Sequence, residues 1–139
     1  GPRRSTNYGR LGNDKYLPQA NTETFVVGQI ESRNLVDNID ELVAIDGLDG
    51  VVIGPYDLSG SYELPGDIDH PTVVEAIQIS IDKCREAGIY VGVGMGSSAP
   101  TAKRWHAAGA HWAMVGADYQ YMVQFADNLY AEIRRETRP

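Results

Sequence analysis

The run Thr24-Phe25-Val26-Val27-Gly28-Gln29-Ile30-Glu31 is β-branched and aromatic in its first half, and this content predicts a strand. A period of two places Phe25, Val27, Gln29 and Glu31 on one face, so the two polar side chains at its end point the same way. The period then changes. From Asn34 to Ile45, residues Leu35, Ile39, Leu42 and Val43 recur at helical spacing, a Gly47 to Gly50 turn follows, and Val51-Val52-Ile53-Gly54 reads as a second strand. Pro71 opens the next helix, Val73, Val74, Ile77, Ile81 and Cys84 form its apolar stripe, and Gly88 ends it. Ile89 to Val93 is then a strand, Pro100 to Ala108 a helix closed by Gly109, and His111 to Val115 a strand. A last helix over about Tyr119 to Arg135 shows an apolar face of Met122, Phe125, Ala126, Leu129 and Ile133.

Residues 1–23 carry no sustained period and read as an N-terminal loop with a short helical turn around Lys15 to Ala20. Residues 24–139 read as one domain, in which four strands alternate with four helices. That alternation marks the α/β class and right-handed βαβ units on a parallel sheet whose strands are covered on both faces. A small open sheet and half of an eight-stranded barrel both satisfy the pattern.

Charge narrows the partners. The chain has 12 Lys and Arg against 19 Asp and Glu, a net charge of −7, with no basic run longer than two residues, so the phosphate-neutralising stripe that nucleic acid requires is absent. Trp105, Trp112 and the tyrosines do not alternate with basic residues, which assigns them to packing rather than base stacking. Cys84 is the only cysteine, which excludes an internal disulfide or a cysteine-based zinc site and fits a reducing, cytoplasmic setting. No apolar stretch approaches the roughly 18 residues a membrane span needs, so no membrane partner is expected.

Chemistry in a parallel sheet collects at the C-terminal strand ends. Glu31 closes one strand and Asp57 lies just past its neighbour, so two carboxylates can converge on one point, as hard divalent cations require. By spacing alone a second reading stands beside this one: Glu31 as a helix cap and Asp57 as a turn former through Asp-Leu-Ser. Gly92-Val93-Gly94-Met95-Gly96-Ser97-Ser98 leads into a helix and suits either a phosphate cradle or a plain tight turn and pocket wall; it lacks both a P-loop lysine and a dinucleotide-type acidic residue. His70, before Pro71, reads as a helix cap. His106 and His111 fall away from the active face.

The ordered set Gln29-Ile30-Glu31-Ser32-Arg33, Asp46-Gly47-Leu48-Asp49-Gly50-Val51-Val52-Ile53-Gly54-Pro55-Tyr56-Asp57-Leu58-Ser59, Gly66-Asp67-Ile68-Asp69-His70-Pro71, Ala107-Ala108-Gly109-Ala110 and Val115-Gly116-Ala117-Asp118 resembles the class II, metal-dependent pyruvate aldolases that act on 4-hydroxy-2-oxoheptanedioate and 2-keto-3-deoxy sugar acids. The resemblance runs over about residues 16–135. It implies that the chain is the C-terminal half of a (β/α)8 barrel and that Glu31 and Asp57 bind a divalent metal, magnesium or manganese with cobalt as a further option. It also implies that Gln29, Gly54, Pro55 and Tyr56 line the pyruvate site. On that likeness a metal at the 2-keto oxygen acts as Lewis acid toward the enolate released by carbon-carbon cleavage, with no lysine Schiff base. The likeness further implies a small-molecule 2-keto acid substrate, oligomer contacts through the last helix, and a catalytic Arg and His in a half that precedes these residues. The chain opens at Gly1-Pro2 with no methionine, in keeping with that expectation.

Tyr56 departs from the pattern, because the family carries a small residue there and a phenol narrows or reshapes the pocket. Two other readings remain open: a non-catalytic half-barrel that pairs with another through its open strand edges, and a related magnesium-dependent thioester lyase.

Overall fold

The computed structural model describes residues 4–136; the loop expected over residues 1–23 thus includes residues 1–3, which lie outside the described residues. A 3-10 turn at Arg4–Thr6 precedes helix α1 (Asn13–Glu23), which is longer than the turn the sequence suggests and carries Pro18 in its interior. The remaining elements are β1 (Val27–Ile30), α2 (Arg33–Asp37), α3 (Ile39–Val43), β2 (Gly50–Ile53), α4 (Pro55–Ser61), α5 (Pro71–Glu86), β3 (Tyr90–Met95), α6 (Ala99–Ala107), β4 (Trp112–Val115) and α7 (Asp118–Glu136).

The four strands form one parallel sheet in the order β1-β2-β3-β4. Its register brings Ile30, Ile53, Val93 and Ala113 into one row across the sheet, and Gly28, Val51 and Val91 into another. Side chains of these rows point to a common face. There Ile30, Val51, Ile53, Val91 and Val93 are fully buried with Val36, Leu58, Val73, Ile77, Ile81 and Trp105 of the helices. Helices α2 to α6 therefore all lie on one side. Sequential strand order with helices on a single side is the winding of a closing barrel; a doubly wound sheet would reverse its strand order and place helices on both faces.

The opposite face corrects the expectation that both faces are covered. Val27 is 42% exposed and Met114 53%, and Phe25 and Tyr90 stand beside them with ring centroids 5.7 Å apart. Four strands wound in one direction put their helices outside and leave the inner face to be filled by further strands. Trp112 lies flat over Gly92 on this face: a β-carbon at Gly92 would stand 2.2 Å from the indole, so only glycine admits the ring.

Helix boundaries follow local chemistry. Both α5 and α6 end in Schellman motifs, with Gly88 at φ 75° and Gly109 at φ 106°. Ile89 N–H donates to Cys84 O and Gly88 N–H to Arg85 O after α5; Ala110 N–H donates to Trp105 O and Gly109 N–H to His106 O after α6. His70 caps α5, its Nδ1 accepting from Thr72 N–H, as its position before Pro71 suggests. The single helix expected over Asn34 to Ile45 is divided at Asn38, whose backbone (φ −113°, ψ 29°) leaves the helical region while its amide donates to Asn34 O at 2.8 Å. An asparagine side chain that binds nearby backbone competes with helix propagation.

Cys84 sits fully buried on α5, and burial pushes its thiol from the ordinary 9.0 up to about 11. A raised folded-state value stabilises the fold below the unfolded value, and that contribution is lost as pH rises from about 9 through 11. At pH 8 an aromatic disulfide reagent is expected to leave Cys84 unmodified in the native protein and to titrate one thiol after denaturation; rapid native labelling would show that the helix opens locally.

Candidate active site

The C-terminal end of the sheet holds an open cavity of about 370 Å³. One end is formed by Gln29 in β1 and by Gly54, Pro55, Tyr56 and Asp57 after β2. Gly94 and Gly96 cross its floor at the end of β3, and Met114 with Tyr119 and Gln120 close the far end.

Gln29 and Glu31 point to the same side, as a period of two requires, and the Gln29 amide nitrogen donates to Glu31 Oε1. That bond leaves Glu31 Oε2 and the Gln29 carbonyl oxygen available as acceptors. Gly54 makes the space for them. A β-carbon there would stand 3.0 Å from Glu31 Cγ, 3.1 Å from its Oε1 and 3.5 Å from Gln29 Nε2. The strand ends are also tied together, since Gly54 N–H donates to Ile30 O at 2.9 Å.

Asp57 does not lie in a turn. Helix α4 begins immediately after β2 with Gly54 as N-cap and Pro55 in its first turn, and Asp57 follows in that same turn, where a carboxylate complements the helix dipole. The helix is anchored through Leu58, fully buried, and through Ser59, whose hydroxyl donates to Tyr56 O at 2.6 Å and accepts from Gly66 N–H at 2.9 Å. Tyr56 projects with 60% of its surface exposed and lines the cavity beside Asp57.

Among the described residues no cluster of three or more His, Cys, Asp and Glu side chains is arranged to hold a metal. Glu31 and Asp57 nevertheless carry hard oxygen donors of the type that magnesium and manganese take while retaining water or substrate oxygens, and the missing β-carbon of Gly54 is the space in which Glu31 turns.

The glycine-rich segment at the end of β3 contributes cavity floor through Gly94 and Gly96, while Ser98 caps α6 by accepting from Thr101 N–H. His111 lies at the other end of the sheet, where its Nδ1 accepts from Val91 N–H at 3.0 Å; His106 is exposed on α6. Met114, Tyr119 and Gln120 are the wall residues that sequence reasoning did not find. The signal for Met114 was its position on the same strand parity as Gly94, which the register pairs with it.

The pattern of these residues is shared with known proteins. Residues 3–124 match the family model described as HpcH/HpaI aldolase/citrate lyase. The 2-keto-3-deoxy-L-rhamnonate aldolase of Klebsiella pneumoniae is 36% identical over 137 residues, spanning 99% of this chain and 50% of that protein. The 4-hydroxy-2-oxo-heptane-1,7-dioate aldolase of Salmonella heidelberg is 37% identical over 135 residues, 97% of this chain and again 50% of the relative. A crystal structure of an HpcH/HpaI aldolase/citrate lyase family protein from Burkholderia cenocepacia superposes with a TM-score of 0.88 at 30% identity, covering 96% of this chain and 51% of the other. The chain thus spans about half the length of the relatives it matches.

Proposed function

The chain belongs to the HpcH/HpaI aldolase/citrate lyase family, and from that membership we propose that it contributes the metal and pyruvate contacts of an aldolase that cleaves 2-keto acids into pyruvate and an aldehyde. The observation that carries the reading is Glu31, held by Gln29 against the bare face of Gly54, at the end of a cavity whose wall includes Asp57.

In this reading Glu31 and Asp57 would hold a divalent cation, magnesium or manganese, which when bound would supply Lewis acidity at the 2-keto oxygen. Gln29, which lines the cavity, holds Glu31 through its amide N–H. Gly54 and Pro55 present backbone at the point of closest approach, and the first turn of α4 offers N–H groups favourable to a substrate carboxylate. The proton donors of the reaction belong to the four further βα units of a complete barrel, and the exposed last helix α7 supplies contacts between copies.

The test is pyruvate release from 4-hydroxy-2-keto acids, measured on the 139 residues alone and within a chain that supplies four more βα units. Activity of the eight-unit protein is expected to vanish with chelator and return with magnesium or manganese. Cleavage that survives exhaustive chelation would sink the metal assignment, and inertness toward a broad panel of 2-keto acids would sink the aldolase reading. A second reading, association without catalysis, is favoured by the open sheet face with Val27, Tyr90 and Met114 exposed; it predicts that the 139 residues pair in solution but show no metal-dependent activity in either setting.

A further inference from the structure

Two hydrogen-bonded junctions bracket Glu31 and Asp57. Resting on the aldolase reading above, we infer that Ser61 is a positioning residue: its hydroxyl ties the end of α4 to the start of α2 and so sets the placement of Asp57 relative to Glu31.

Glu31 follows β1, and Asp57 lies in α4, beyond α2, α3 and β2 along the chain. Contacts between the two segments, rather than covalent connection, therefore fix the two carboxylates against each other. One junction precedes both of them: Gly54 N–H donates to Ile30 O at 2.9 Å. The other follows both: Arg33 N–H donates to Ser61 Oγ at 2.9 Å. Glu31 is thus held between Ile30 and Arg33 on one segment, and Asp57 between Gly54 and Ser61 on the other.

The first junction belongs to the sheet, but the second depends on one side chain. Arg33 is the first residue of α2, where a backbone N–H has no partner within its own helix, and the Ser32 hydroxyl is directed to Leu35 N–H instead. Ser61 supplies the missing acceptor. Its own proton goes to Leu58 O at 2.7 Å, which fixes the hydroxyl and leaves the oxygen free to accept. Leu58 is fully buried, so the junction rests on an anchored turn of α4. Ser59 does not duplicate this role: its hydroxyl bonds Tyr56 O and Gly66 N–H, and neither lies on the segment that carries Glu31. The Arg33 guanidinium also stands 5.8 Å from the Tyr62 ring centroid, a contact that loss of the Ser61 hydroxyl leaves in place.

A fixed spacing of two carboxylates bears on which cation they favour. Magnesium demands a near-ideal octahedral shell at about 2.1 Å, whereas calcium accepts irregular shells at about 2.3–2.6 Å. Loosening the junction therefore costs magnesium more than calcium.

The test is Ser61→Ala and Ser61→Thr in the eight-unit protein, with manganese binding followed by electron paramagnetic resonance and magnesium and calcium measured by competition against manganese. Alanine is expected to weaken magnesium about fivefold, the effect of one ordinary hydrogen bond, and calcium less than about twofold. Threonine keeps the hydroxyl and is expected to bind both ions within about twofold of the unmodified protein. Unchanged affinities in the alanine variant, equal weakening of both ions, or a threonine variant that behaves as alanine does overturns the inference while leaving the aldolase reading intact. Equal weakening together with a lower melting temperature is the mark of a serine that only supports the fold. Absence of manganese binding by the unmodified protein instead removes the metal assignment, and this inference falls with it.

Discussion

Glu31→Gln and Asp57→Asn are each expected to reduce metal-dependent pyruvate release at least ~10²-fold, because each removes one of the two anionic oxygen donors proposed for a hard cation. Neither change is expected to destabilise the fold: Asp57 is exposed, and glutamine at position 31 retains a carbonyl oxygen to accept from Gln29. Manganese titration followed by electron paramagnetic resonance separates the two consequences of the substitution, weaker metal binding and slower cleavage. Gly54→Ala probes the same point from the other side. Its backbone (φ −99°, ψ 91°) accepts any residue, so the effect is steric alone: a new methyl 3.0 Å from Glu31 Cγ pushes the carboxylate out of place. Activity lost without loss of thermal stability is the expected outcome for all three. Full activity in both carboxylate variants would move the metal elsewhere.

The second large effect lies in the core. Ile77→Ala, at a fully buried position on α5, is expected to cost about 2–5 kcal/mol of unfolding free energy, since it deletes three carbons from a helix that packs against both β2 and β3. Ile79, two residues away, is 41% exposed, and its change to alanine is expected to stay within about 0.5 kcal/mol. Urea unfolding of the two variants side by side measures the contrast. Equal effects at both positions would mean that the outer face of α5 is covered in the folded protein.

Local rules were sufficient where one residue's neighbours decide its conformation. Gly88 and Gly109 end their helices because the left-handed position after a helix favours glycine, and Pro71 with His70 starts one because both the missing N–H and the capping ring nitrogen act within two residues. The alternation along Gln29-Ile30-Glu31 likewise fixes, from strand pleat alone, that Gln29 and Glu31 share a face. Helix α4 was not legible in this way. Pro-Tyr-Asp-Leu-Ser-Gly-Ser contains residues of low helix propensity and no apolar period, and it is helical because Leu58 and Ser59 are buried against distant segments. The result moves Asp57 from a loop into a helix's first turn, a more rigid mount for a ligand.

From the residues themselves, then, came the α/β class, the strand and helix periods, and the pair of acidic side chains at adjacent strand ends, because these depend on backbone geometry over a few positions. Only the tertiary structure decided that the sheet winds in one direction with its helices on one side, since strand order is a matter of long-range pairing that no local period encodes. It alone also set Tyr119 and Gln120 across one cavity from Tyr56. Those residues are more than sixty positions apart in the chain, and they share a cavity because the parallel register of β2, β3 and β4 brings the ends of three strands to the same level.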